Sequence, residues 1–78
     1  MVKWIRIGNR WINAGMLSQI KVQVTREEQK IAFTGPEEFY ISYRIPVENI
    51  EVVKDILDRF FIEDDWHLLD LSSYVKEV

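Results

Sequence analysis

The 78-residue chain has no cysteine, a single histidine, three glycines and two prolines. Without cysteine there is no disulfide framework and no thiolate nucleophile, and zinc loses its commonest structural ligand. One histidine leaves little for a transition-metal site. The scarcity of glycine and proline excludes a collagen-like fibre and a low-complexity linker. No stretch approaches the roughly 20 apolar residues that span a bilayer. The start, Met1-Val2-Lys3-Trp4-Ile5-Arg6, interleaves charge with apolar residues and lacks the apolar run of a signal peptide. A cytoplasmic chain is the expectation.

What is present is a folding-competent mixture: 47% hydrophobic, 29% charged and 13% aromatic residues. That balance excludes a disordered tail. A chain of this length forms one domain and buries only about 60% of its unfolded surface, so large apolar side chains are costly to leave in water. Charge is divided unevenly. Residues 1–44 carry seven Lys/Arg and four Asp/Glu, and residues 45–78 carry three and nine. The overall net charge of −3 therefore averages a basic half and an acidic half.

Periodicity of two dominates residues 1–45, which are expected to form an antiparallel meander of four to five strands. Val2 to Ile7 alternates, and Gly8-Asn9 suits a two-residue hairpin turn whose first central residue has positive φ. That turn sets a register: Ile7 opposite Arg10, Arg6 opposite Trp11, Ile5 opposite Ile12, Trp4 opposite Asn13. Because paired residues share a face, Ile5 and Ile12 point to the core while Trp4, Arg6, Trp11 and Asn13 point away. Asn13 to Ser18 breaks the alternation and reads as a bend. Ile20, Val22 and Val24 line one side of the next strand, Ile31 and Phe33 of the one after. Gly35-Pro36-Glu37-Glu38 turns the chain into a last strand with Phe39, Ile41 and Tyr43 inward.

The period then lengthens to about 3.6. Val47, Ile50, Val53, Leu57 and Phe60 make one stripe of an amphipathic helix within residues 46–62. Pro46 suits its first turn, and Glu48 and Glu51 favour the positive end of its dipole. Residues 63–78 form a tail that fits either a short extended piece at Trp66-His67-Leu68 or a second helix whose last turn Ser72 or Ser73 caps, packing on the sheet or on a partner. The fold class is α+β: a sheet covered by one C-terminal helix, with a further short tail segment.

The outward side of such a sheet collects Trp4, Arg6, Trp11, Asn13, Lys21, Gln23, Thr25, Ala32, Thr34, Tyr40, Ser42 and Arg44. It holds three cations, three large aromatics and no acid. Three explanations compete. The tail's Trp66, Leu68, Leu69, Leu71, Tyr74 and Val75 cover the tryptophans, which are then core. Alternatively the face binds a protein partner or a second copy, since Trp, Tyr and Arg dominate binding hot spots. Or it binds single-stranded nucleic acid weakly, bases stacking on rings while cations meet phosphates, against the opposition of a net negative charge. The expectation is a non-catalytic interaction module acting through Trp4, Arg6, Trp11, Tyr40 and Arg44, with single-stranded nucleic acid as the alternative.

On the helix, Glu48, Glu51, Asp55 and Asp58 recur on one face opposite the apolar stripe. They form either a solvated surface or an acidic face for a basic partner. Glu63-Asp64-Asp65-Trp66-His67-Leu68-Leu69-Asp70 holds the only catalytic or metal vocabulary, but its spacing matches no EF-hand loop and no His-Glu-x-x-His helix. No catalytic residue, metal ligand set or cofactor site is expected.

Overall fold

The computed structural model describes residues 2–76. The architecture is α+β, with six strands in two three-stranded sheets and one helix among the described residues. The first hairpin joins β1 (Trp4–Ile7) to β2 (Arg10–Asn13) in the register set by the Gly8-Asn9 turn, from Trp4 opposite Asn13 to Ile7 opposite Arg10. Gly8 has φ +60°, the left-handed value that this turn demands and that glycine adopts without a Cβ clash.

The antiparallel meander forms over the last three strands of the sheet region, and the first hairpin belongs to a separate sheet. After β2 a single 3-10 turn, Ala14–Met16, is capped by Asn13, whose Oδ1 accepts from the Gly15 N–H at 2.9 Å. That cap stops the alternation and sends the chain into a second sheet. There β3 (Gln19–Val24), β4 (Gln29–Thr34) and β5 (Tyr40–Arg44) run antiparallel in the order β3-β4-β5. The helix α1 (Ile50–Ile62) follows Pro46 through a 3-10 turn at Val47–Asn49 and buries Val53, Leu57 and Phe60.

The tail supplies the sixth strand. β6 (Leu68–Asp70) pairs in parallel with β1, so the first sheet has the order β2-β1-β6. The second-helix alternative for the tail is overturned. Its physical reason is the open edge of β1, whose unpaired backbone groups are satisfied by Leu68–Asp70. The tail also reaches the other sheet, since Lys76 exchanges two backbone hydrogen bonds with Arg44, at 2.8 and 2.9 Å. Ser72 caps no helix. Its hydroxyl accepts from the Gly8 N–H at 2.8 Å and so fixes the hairpin turn.

Both sheets turn their inner faces to one core. Ile5, Ile7 and Ile12 from the first meet Ile31, Phe33 and Tyr43 from the second, with Val53, Leu57 and Phe60 from α1 and Leu69, Leu71 and Val75 from the tail. Val24 departs from its expected inward place: at the end of β3 it is 56% exposed. Among the described residues no buried side-chain nitrogen or oxygen lacks a hydrogen-bond partner.

Lys3 ties the halves together. Its ammonium donates to the backbone carbonyls of Phe60 at 2.8 Å, Glu63 at 2.6 Å and Trp66 at 2.6 Å, and lies 4.7 Å from the centre of the Phe60 ring. The Phe60 carbonyl lies in the last turn of α1 and the Glu63 carbonyl at its C-cap, where no residue farther along the helix can satisfy them, at the helix's negative end. Nothing in the sequence around Lys3 distinguishes it from a surface lysine.

Candidate interaction surface

The division into two sheets also divides the outward residues. On β2-β1-β6 the outer rungs are Leu68–Trp4–Asn13 and Asp70–Arg6–Trp11. On β3-β4-β5 they are Gln19–Thr34–Tyr40, Lys21–Ala32–Ser42 and Gln23–Lys30–Arg44, the last extended by Lys76. Trp4, Arg6 and Trp11 are thus brought together, and Tyr40 and Arg44 belong to the other sheet. The expected single aromatic and basic face is two faces of different chemistry.

The first is aromatic. Trp4 is 39% and Trp11 54% exposed, so the tail does not bury them. The tail packs elsewhere. Leu69, Leu71 and Val75 enter the core. Trp66 stands edge-on to Phe60 with ring centres 5.5 Å apart, and its indole N–H donates to the Leu68 carbonyl. Among the described residues of the tail, Leu68 alone of the large apolar ones joins the face, as the neighbour of Trp4 in its rung.

Arg6 is held from three sides: its guanidinium lies 5.2 Å from the centre of the Trp11 ring, Nε donates to the Gly8 carbonyl at 3.1 Å, and Nη1 is 3.5 Å from Asp70 Oδ2. Asp70 corrects the expectation that this side carries no acid. Its carboxyl is held below the ordinary carboxylate range by hydrogen bonds from the Ser72 hydroxyl and backbone N–H, and then by the Arg6 charge. A cation so engaged adds little to long-range attraction of phosphate.

Where the first sheet meets the turn between β4 and β5, Trp4, Trp11, Met16 and Phe39 line an apolar cleft of ≈ 350 Å³, edged by Arg10 and Asn13. Sequence alternation places Phe39 inward, and it is half-buried against the core while also lining this cleft; the alternation gives Met16 no role. The turn before Phe39 sets its direction. Glu37 and Glu38 have φ of 56° and 63°, and the Phe39 N–H donates to the Pro36 carbonyl. Two consecutive non-glycine residues in the left-handed region are strained, and such strain concentrates at functional sites.

The second outer face is cationic. Lys21, Lys30, Arg44 and Lys76 share it with Gln19, Gln23, Ser42 and Tyr40. Glu28, 3.2 Å from Lys30, neutralises one of the four, and its hydrogen bond raises the Lys30 pKa, with a smaller contribution from Tyr40. Tyr40 is exposed.

The acidic helix positions separate as well. Glu51 pairs with Lys54 at 3.8 Å and Asp55 with Arg59 at 3.3 Å. Glu48 precedes the helix in the 3-10 turn, and Asp58 lines a groove beside β3. Among the described residues no group of three or more His, Asp or Glu side chains is close enough together to hold a metal ion, and His67 is exposed. No helix is long and apolar enough to cross a membrane among the described residues.

No family model, no curated protein and no solved structure matches the chain. Function must be argued from the surface itself.

Proposed function

We propose that the protein is a small, cytoplasmic, non-catalytic interaction module that binds a protein partner through the outer face of β2-β1-β6. The observation that carries this is the pair of exposed tryptophans beside an apolar cleft, with Arg6 already fixed over Trp11. A 78-residue chain has little apolar surface to spare, and two exposed indoles form a larger patch than folding explains. Aromatic rings and arginine bury much area at modest entropic cost, and here the arginine is ordered before any partner arrives. In this assignment Trp11 and Trp4 are the anchors, Met16 and Phe39 form the floor of the cleft, and Arg6, Asp70 and Arg10 make the polar rim.

The test is comparative affinity capture with the wild-type chain and with Trp11→Ala and Trp4→Ala, each checked for unchanged circular dichroism. A partner retained by the wild type and lost from both variants supports the assignment. A partner retained equally by all three refutes it.

A second assignment, weak single-stranded nucleic-acid binding, is favoured by a different observation: the cations Lys21, Arg44 and Lys76 beside Tyr40 on the outer face of β3-β4-β5. With so few free cations its affinity would be low and its salt dependence shallow. Titration with a labelled oligonucleotide at low salt tests it. Flat anisotropy, or binding unchanged in Arg44→Ala, excludes it.

A further inference from the structure

A second surface lies away from the tryptophans. Among the described residues β3 pairs only with β4, so its other edge is free. Alongside that edge the C-terminal part of α1 overhangs the inner face of the sheet. Ile20, Val22, Phe61 and Ile62 line the resulting groove of ≈ 400 Å³, with Lys54 and Asp58 on its rim. Ile62 is 75% exposed, Val24 56% and Phe61 45%. A free, alternating strand edge beside uncovered apolar side chains is a template for another strand.

We infer that this occupant is β3 of a second copy of the chain, paired antiparallel about a two-fold axis at Val22. The strand is self-complementary about that residue. Ile20 then faces Val24 of the second copy, Lys21 faces Gln23, and Val22 faces Val22. Centring the pairing on Lys21 instead would set two lysines opposite each other, which is unfavourable. A shift by one residue would set apolar against polar side chains on every rung. The Val22 axis keeps the apolar set together, separates the lysines and pairs residues 20–24 of the strand.

The rim agrees with this symmetry. Lys54 and Asp58 are opposite charges one helical turn apart, and both border the groove. A two-fold operation runs the two copies of α1 antiparallel on one face of a joined six-stranded sheet. It thereby turns Lys54 of one copy toward Asp58 of the other, an isologous arrangement that closes at two. Phe61 and Ile62 of both copies cover the doubled groove.

This dimer is independent of the tryptophan surface, and one experiment separates them. Sedimentation equilibrium of the full chain, from low micromolar to millimolar concentration, is expected to show a monomer–dimer equilibrium. Val24→Lys and Ile62→Lys alter exposed positions, so folding is retained and checked by circular dichroism. Each should raise the dimer dissociation constant roughly tenfold or more. Lys54→Glu should weaken the dimer, and Lys54→Glu combined with Asp58→Lys should recover it. Trp11→Ala should leave it unchanged. A chain that stays monomeric throughout, or a dimer that survives both Val24→Lys and Ile62→Lys, overturns the inference. So does a dimer lost in Trp11→Ala, which would move self-association to the aromatic face.

Discussion

The two sheets are alike inside and unlike outside. Both inner faces present isoleucine to the same core, with Leu69 beside it on the first sheet and Phe33 and Tyr43 on the second. Outside, the short strands of β2-β1-β6 carry two tryptophans and a leucine around one internally paired arginine, and the longer strands of β3-β4-β5 carry lysine, arginine, glutamine and small hydroxyl residues. Folding requires the inner chemistry of each sheet and is indifferent to which polar residues cover the outside. The aromatic exterior of the first sheet is therefore the part of the molecule that folding leaves unexplained, and the cationic exterior of the second is ordinary surface with a charge bias.

The sharpest challenge to this comparison is to damage each interior in turn. Ile5 in β1 and Ile31 in β4 are both fully buried central-strand residues. Ile5→Ala and Ile31→Ala should each cost about 2–5 kcal/mol. Because the core is shared, thermal unfolding followed by near-ultraviolet circular dichroism should show one transition in both variants. Two separated transitions would mean that the sheets are independent. A smaller effect is expected from Lys3→Met, which keeps the aliphatic stem and removes three hydrogen bonds from a charged donor. It should lower stability by about 2 kcal/mol in urea denaturation, and a loss within experimental error would show that solvent can replace Lys3. The smallest change has the opposite sign. Glu38→Gly should relieve a left-handed residue and raise stability by up to about 1 kcal/mol, offset in part by the flexibility glycine adds to the unfolded chain. If the strained turn serves the aromatic cleft by placing Phe39, partner capture should fall as stability rises.

Much of this comparison was legible in local sequence. The Gly8-Asn9 turn gave the β1–β2 register residue for residue, and with it the common face of Trp4, Arg6 and Trp11 and the cation–π contact of Arg6 with Trp11. The helix was legible because its stripe repeats over four turns. The tail was not. A three-residue strand, Leu68–Asp70, carries too little alternation to be distinguished from a helix, and its partner lies more than sixty residues away. Missing that pairing hid Asp70 from the outer face, and missing the division into two sheets at the Asn13-capped turn left Tyr40 and Arg44 joined to a surface they do not share. Lys3 was illegible for a related reason: what it binds is backbone, and backbone carbonyls leave no trace in composition or spacing.

The parallel partnership of β1 with β6 has a consequence for the order of events when the chain is made. Gly8 and Ser72, hydrogen-bonded to each other, are 64 residues apart. Parallel pairing across such a separation closes a long loop before it is rewarded, which slows folding. On the ribosome the first hairpin emerges with Trp4 and Trp11 and must wait until Leu68–Asp70 has been synthesised before its open edge is filled. For that interval an unpaired strand edge and two indoles are exposed together, and the nascent chain is most at risk of sticking to its neighbours where the finished protein is proposed to bind.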